Sequence, residues 1–257
     1  MPILKHLTRP VITALITCLA HLSGTAQAET PMGSVIESRL LVGIKADGDA
    51  VNAMMPEGWV SIPYPKGPLS GANAILALLD GHLVLDTEGK SADPATRTTA
   101  AILGLGKEAD GKGVRQFVLR VYTDDPEANP YGNTVTAKVQ RSRELNGTSG
   151  DARTYSESWT VNAEDGSLSL SLSYAMGTPG WSLGKSAAFS ASDPDFAVSQ
   201  TYQQLADLVM SQSLGKPLAG DLSYASTLTG LSGVFDGSEE VQAIVNIPVY
   251  IRDVFHP

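Results

Sequence analysis

Alternating apolar and polar side chains recur along most of this chain, which favours strands over helices. The segment from 114 to 123 is an example, with Phe117, Leu119 and Val121 on one face and Arg120 and Tyr122 on the other. Turn-forming residues separate such segments, and we expect about eight to ten strands with few helices. This pattern predicts a mainly β (α+β) domain, an antiparallel barrel or sandwich whose interior can hold a ligand.

Helical signals are confined to two segments. A helix is predicted from Tyr202 to Leu214, because Leu205, Leu208 and Val209 recur at helical spacing. A short helical turn is predicted from Asp49 to Met55, capped by Asp47 or Asp49 and stopped by Pro56.

Two local signals bear on strand boundaries. Asp80-Gly81 follows a continuous apolar run and predicts a hairpin turn. Pro248 interrupts the last strand candidate, from Val241 to Val254, so this strand is predicted to be an edge strand or a bulged one.

The first 28 residues have the three-part pattern of a secretory signal. Lys5 and Arg9 make the start basic, residues 11–22 are mostly apolar, and Ala26-Gln27-Ala28 is a small-x-small cleavage site. The sequence therefore predicts a signal peptide at 1–28 and one β-rich ligand-pocket domain at 29–257. We expect a periplasmic or extracellular protein, with no integral membrane segment once the signal is removed.

Charge and cysteine usage exclude several classes of function. The formal net charge is −9, which argues against nucleic acid or anionic membranes as partners, because both require clusters of Lys and Arg. The single cysteine lies inside the predicted signal, so no disulfide, thiol nucleophile or cysteine metal site is expected afterwards. His82 and His256 are far apart in sequence, and a histidine metal site is not expected either.

The chain contains none of the usual short catalytic or cofactor motifs. It has no P-loop, no dinucleotide fingerprint and no nucleophile elbow around a serine. We therefore expect no metal and no cofactor. The predicted partner is a small molecule, and homo-oligomerisation stays open.

The stretch from Asn129 to Lys138 joins two predicted strands and carries polar side chains suited to a pocket. Tyr131 and Asn133 can offer a hydroxyl and an amide, and Arg120 on the preceding strand can hold a carboxylate through a two-pronged contact. The alternative is that residues 130–133 form only a tight turn.

The opening of the chain resembles that of the acetoacetate decarboxylase-like superfamily. Residues 38–44 match the first strand of that family, residues 46–51 its short Asp-containing helix, and Met55-Pro56-Glu57-Gly58-Trp59 its Pro-Glu element before the next strand. A proline-containing loop at 129–134 and Ile247-Pro248-Val249 near the end are similar too. The resemblance extends over 35–255, but only about the first 25 of these residues carry the motif.

Membership of that family implies a closed or nearly closed β structure with an apolar central cavity. Its decarboxylases carry a Pro-Lys-Lys element, in which one lysine forms a Schiff base with a β-keto acid and its neighbour lowers the pKa of the reacting amine. Pro130-Tyr131-Gly132-Asn133 stands at that place here, and the chain has no adjacent lysine pair. Lys138 is the nearest lysine.

The resemblance and the residues together yield a set of candidate site residues. Lys138 and Tyr131 are the catalytic candidates, and the substrate-binding candidates are Arg39, Trp59, Arg120 and Asn133. The leading hypothesis is an exported protein of this fold that holds a small, partly apolar carboxylate or ketone. A lyase- or isomerase-type step, such as a decarboxylation or hydration, stays open.

Two alternatives accompany the leading hypothesis. The first is a Schiff-base decarboxylase that uses Lys138. The second is a periplasmic structural or partner-binding module, which would carry an apolar surface patch instead of an enclosed cavity.

Overall fold

The described part of the chain forms twelve strands, one short α-helix and one 3-10 turn. The computed structural model describes residues 29–111, 113–148 and 153–256, so the predicted signal at 1–28 lies outside the described residues. The elements are β1 Thr30–Lys45, α1 Gly48–Asn52, β2 Trp59–Ile62, β3 Ala74–Leu85, β4 Arg97–Glu108, β5 Val114–Thr123, β6 Thr134–Asn146, β7 Thr154–Ala163, β8 Gly166–Ala175, β9 Gly180–Ser190, β10 Ala197–Ser211, β11 Gly220–Ser226, the 3-10 turn Thr229–Leu231 and β12 Glu240–His256. The predicted mainly β class is confirmed.

Seven strands pair into a closed ring. β1 pairs with β12 on one side and with β3 on the other. β3 continues through β4 to β5, and β12 continues through β10 to β9, all antiparallel. The ring closes where β5 and β9 run parallel, at Phe117↔Phe189 and Val118↔Ser190.

Four further strands form a second layer beside the ring. β6 starts next to β5, and β7, β8 and β11 follow in antiparallel order. Residues 164 and 165 form the turn that joins β7 to β8. The main apolar core includes Leu40, Phe117, Trp159 and Leu170, and it therefore lies between this layer and the facing side of the ring.

The helix predicted from Tyr202 to Leu214 is wrong. These residues belong to β10, which is paired with β9 and β12. Register shifts between Leu205 and Asp207 and between Leu208 and Met210 interrupt strict alternation. Because each bulge shifts the side chains that follow to the opposite face, apolar residues in this strand recur at a spacing that resembles a helix.

The hairpin turn predicted at Asp80-Gly81 is also wrong, because β3 runs through both residues. A side chain at Gly81 would meet Arg97 at 3.2 Å, so the glycine makes room for a close neighbour on β4 instead of a turn.

The other local predictions are confirmed in part. The predicted helical turn is present as the shorter α1, and Asp47 caps it by accepting a hydrogen bond of 2.9 Å from the Ala50 N–H. β12 is bulged near Pro248, but it has partners on both sides and is not an edge strand.

Candidate functional site

The ring has a face that points away from the second layer. Along β1, Ser38, Leu40 and Val42 point towards the second layer, and Leu40 and Val42 pack in the main core. By alternation, Glu37, Arg39 and Leu41 point to the opposite side. We call the space on that side the lumen.

Tyr131 shows that side chains from opposite walls of the ring meet in the lumen. Its ring packs on a small apolar cluster formed by Ala101, Val118 and Val121, which belong to β4 and β5. Tyr131 is also close enough to Arg39 of β1 and Arg252 of β12 for their charges to act on its hydroxyl. The turn before β6 therefore places an aromatic side chain between the two halves of the ring.

Two arginines and one carboxylate meet in the lumen. Glu37 is buried, with 3% of its side chain exposed, and it pairs with Arg39. Arg252 Nη2 lies 3.3 Å from Glu37 Oε2, and Arg252 Nη1 donates a 3.1 Å hydrogen bond to Gln200 Oε1. The buried Arg252 Nε has no hydrogen-bond partner among the described residues. The trio carries one positive charge more than negative.

Aromatic rings surround these charges. The Arg39 guanidinium carbon lies 3.6 Å from the centre of the Tyr250 ring, and Tyr202 stacks on Tyr250 at 5.0 Å between centroids. Arg39 is thereby held by a carboxylate and by a ring face at once. One face of its guanidinium is covered, and its side chain keeps 13% of its surface exposed.

Burial decides the protonation of the lumen phenols. It raises the pKa of Tyr250 to about 12 and also raises the pKa of Tyr131, although Arg39 and Arg252 oppose both shifts. Both hydroxyls are neutral donors at pH 7. Burial also acts to raise the pKa of Glu37, but the charges of Arg252 and Arg39 outweigh it, so that pKa lies below its ordinary value.

One part of the lumen wall is apolar. Leu41, Ala77, Ala101 and Val121 lie opposite one another on four neighbouring strands. Leu79 and Leu103 are only partly buried and pack beside Ala101. Small residues and accessible leucines thus stand next to the paired arginines.

Arg120 and Asn133 lie elsewhere, in an open cleft on the opposite side of β5. The cleft has a volume of about 470 Å³ and is also lined by Met54, Leu119 and Ser192. Leu119 packs in the main core, away from the lumen. Gly132, with φ +69°, separates Tyr131 from Asn133, and the two side chains enter different spaces.

Trp59 and Lys138 lie neither in the lumen nor in the cleft. Trp59 packs edge-on against Phe117 with centroids 4.8 Å apart, and Arg115 stacks on its other side at 4.9 Å. Lys138 is exposed on β6, where it pairs with Asn162. Each lysine within the described ranges is exposed, so none has the burial that would lower an amine pKa.

Sequence analysis did not identify three lumen residues, Glu37, Tyr250 and Arg252. Glu37 and Arg252 each directly follow an isoleucine in a strand that is mostly apolar. A charged side chain that is buried in a strand needs a partner of opposite charge. The position of these two residues could therefore have indicated a buried ion pair. Which charge each of them meets could not be predicted, because 215 positions separate the two residues.

A second buried ion pair lies between the ring and the second layer. Arg141 Nη2 is 2.8 Å from Glu157 Oε2, with 3% and 0% of their side chains exposed. Arg141 also reaches Asp80 Oδ2 at 3.1 Å and donates to the Tyr155 hydroxyl at 2.9 Å. The Trp159 indole N–H donates to Glu157 at 2.9 Å. This network joins the two layers inside the core.

Metal and membrane features were sought across the same ranges. No three or more His, Cys, Asp or Glu side chains gather there as metal ligands. Within these ranges no helix is long and apolar enough to cross a membrane.

Comparison with solved structures identifies the fold. No family model and no curated protein matches the chain. MppR, an enduracididine biosynthesis enzyme in complex with pyruvate, is similar with a TM-score of 0.58 and 9% identity over 93% of each chain. An acetoacetate decarboxylase-like enzyme from Sphingomonas wittichii RW1 has a TM-score of 0.50 and 12% identity over 93% of this chain and 96% of its own. The predicted acetoacetate decarboxylase-like fold is confirmed.

Proposed function

We propose that this protein binds a small keto acid or related carboxylate in the lumen of its strand ring. The observation that carries the proposal is the buried Arg39–Glu37–Arg252 trio, whose charges do not cancel. A bound carboxylate would neutralise the remaining positive charge and accept from the unpartnered Arg252 Nε. Charge-assisted hydrogen bonds of this kind are about twice as strong as neutral ones.

Tyr131 is suited to the carbonyl of such a ligand. Its phenol is protonated at neutral pH, and burial raises its pKa further above the ordinary value. A neutral O–H beside two guanidinium groups can donate a hydrogen bond to a ketone oxygen. The apolar wall around Ala101 and Val121 would hold the carbon skeleton.

The fold supports the same ligand class by analogy. MppR has a similar fold and is described with bound pyruvate, a small keto acid. We carry that class over to this chain as part of the proposal, because the lumen residues here fit a carboxylate next to a carbonyl.

Catalysis is a second candidate function, favoured by the neutral Tyr131 hydroxyl. Hydrogen bonding to a ketone oxygen stabilises the negative charge that develops there during enolisation or hydration. A lyase- or isomerase-type step of this kind needs no amine. The Schiff-base alternative through Lys138 lacks support, since that side chain is exposed on β6.

We also propose that the protein works outside the cytoplasm, as a periplasmic or secreted protein. The basic, apolar and small-residue order of residues 1–28 supports it. Intact-mass measurement on protein from cell fractions tests the proposal. A mature chain that starts at Glu29 in the exported fraction is expected, and a full-length cytoplasmic chain would contradict it.

Calorimetric titration with pyruvate tests the lumen site. Arg39→Gln removes the stacked guanidinium, and we expect affinity to fall about 10- to 100-fold, corresponding to a lost hydrogen bond to a charged group. Lys45→Gln is the matched control, since it removes one positive charge from an exposed position on the same strand. Equal affinity of the Arg39→Gln variant and the wild type would overturn the proposal.

A further inference from the structure

The cleft that holds Arg120 and Asn133 is separate from the lumen and has its own polar groups. Leu119, Val135, Met54 and Ser192 also line it. A volume of about 470 Å³ lies within the range of small-molecule sites. Nothing in the lumen proposal uses these residues.

Arg120 brings a positive charge to the cleft. Its guanidinium packs closely over Gly230, where a side chain would collide with it. No salt bridge joins Arg120 to a carboxylate within the described ranges. Asp165 lies near the same glycine and offsets part of this charge. Its Oδ2 accepts from the Thr229 hydroxyl at 3.0 Å and from the Gly230 N–H at 3.2 Å, and its buried Oδ1 has no hydrogen-bond partner among the described residues.

Asn133 brings an unused acceptor. Its amide nitrogen donates to the Val118 carbonyl oxygen, which holds the side chain in place. Its buried Oδ1 has no hydrogen-bond partner in the described part of the chain. A buried acceptor without a partner costs about 1–3 kcal/mol, so a ligand that donates to it is favoured.

The rim of the cleft is held in position by one buried serine. The Ser190 hydroxyl donates to the Tyr131 carbonyl oxygen at 2.6 Å and accepts from the N–H groups of Ser192 and Asp193 at 3.0 and 3.1 Å. These bonds tie the turn that carries Asn133 to the loop that carries Ser192. The two sides of the cleft are thus fixed before any ligand arrives, which lowers the entropy cost of binding.

We infer that this cleft is a second binding site, for a small α-hydroxy or α-amino carboxylate. Arg120 binds the carboxylate, and the Asn133 Oδ1 accepts from the neighbouring O–H or N–H of the ligand. A simple carboxylate without that donor leaves Asn133 unpaired and binds more weakly. The site goes beyond the lumen proposal and does not depend on it.

The test uses L-lactate and acetate as probes, with isotope-labelled protein observed by NMR. To separate the two sites, the titration is done in the Arg39→Gln background as well as in wild type. We expect L-lactate to shift the side-chain amide of Asn133 in both proteins, and to bind at least 10-fold more tightly than acetate. If L-lactate shifts Asn133 in neither protein, or acetate binds equally well, the inference is overturned.

Two variants assign the binding to the cleft. Arg120→Gln removes the charge, and Ala53→Trp fills the cleft from the exposed end of α1 without removing a polar group. We expect each variant to weaken L-lactate binding at least 10-fold, while Lys107→Gln, at an exposed position on β4, leaves it unchanged. Unchanged affinity in Ala53→Trp would overturn the inference even if Arg120→Gln failed to fold.

Discussion

At the scale of single residues, Glu37 bridges two strands that are far apart in the sequence. It accepts from Arg39 on its own strand and from Arg252 on β12. Both arginines would repel each other without it, because nothing else buried between them carries a negative charge within the described ranges. The Glu37 carboxylate therefore holds both arginines in the positions from which they can bind a ligand.

We expect Glu37→Gln to destabilise the fold by about 3 kcal/mol at neutral pH, because it removes a buried carboxylate and leaves two partly buried cations without their partner. The pKa of Glu37 is lowered in the folded state, so its stabilisation is present above the unfolded value of about 4.3 and is lost as pH falls through the lower folded value. The gap between wild type and variant should therefore shrink below about pH 4. Urea unfolding at several pH values measures it.

Glu240→Gln is the control for that experiment, because Glu240 is 56% exposed and pairs with an exposed lysine. Little change in stability is expected there. A gap between wild type and Glu37→Gln that stays constant from pH 7 to pH 3 would contradict the assignment of Glu37 as the buried anion.

The sequence indicated which residues are suited to a binding site, but it did not indicate which of them lie in the same site. Arg39 and Tyr131 fall together in the lumen, whereas Arg120 and Asn133 fall together in the cleft. The division occurs at Gly132, whose positive φ turns successive side chains to opposite sides. A turn of this geometry gives no periodic signal from which a face can be assigned.

At the scale of elements, β10 shows where the pattern of side chains misleads. Leu205, Leu208 and Val209 occupy helical spacing, yet bulges in a paired strand produce it. β6, β7 and β8 were predictable because they alternate without interruption. Sequence patterns thus predicted the regular strands and failed at β10, where two bulges in one strand produce helical spacing.

The junction between β6 and β7 carries the buried Arg141–Glu157 pair. Arg141→Met alone leaves Glu157 buried without a partner, and we expect a loss of about 3–5 kcal/mol. The double variant Arg141→Met, Glu157→Gln removes both charges and should lose less than the single one. Chemical unfolding of the double-mutant cycle gives the coupling between the two sites.

Arg143→Gln serves as the matched control on the same strand, since Arg143 is exposed. Effects near zero are expected for it. If the loss in the double variant equals the sum of the losses in the two single variants, Arg141 and Glu157 do not depend on each other.

At the scale of the whole molecule, the ring is closed by the strand pairing that has the fewest residue pairs. β5 and β9 share only two residue pairs, at Phe117 and Val118. The fully buried Phe117 supports this contact, with Trp59 at 4.8 Å and Phe189 at 6.2 Å between ring centroids. Aromatic packing therefore replaces hydrogen bonds where the ring is weakest.

Phe117→Ala should destabilise the protein by about 3–5 kcal/mol. Because the loss is centred on the closing contact, backbone amides of β9 should exchange with solvent faster than those of β1. Hydrogen exchange read by mass spectrometry measures both strands. Val114→Ala is the control at the exposed start of β5, and equal protection of β9 in Phe117→Ala and wild type would contradict this account.

The pairing of β1 with β12 has a consequence for the order of folding. Thr30 and His256 are partners in one ladder. The first ring strand to be synthesised, β1, therefore cannot form this ladder until the last strand, β12, has been synthesised. Until then β1 has an open edge on one side, and long-range pairings of this kind slow folding and expose chains to aggregation. A nascent chain stalled before Glu240 should therefore stay sensitive to protease and bind chaperones, and release of the final strand should convert it to the protected form.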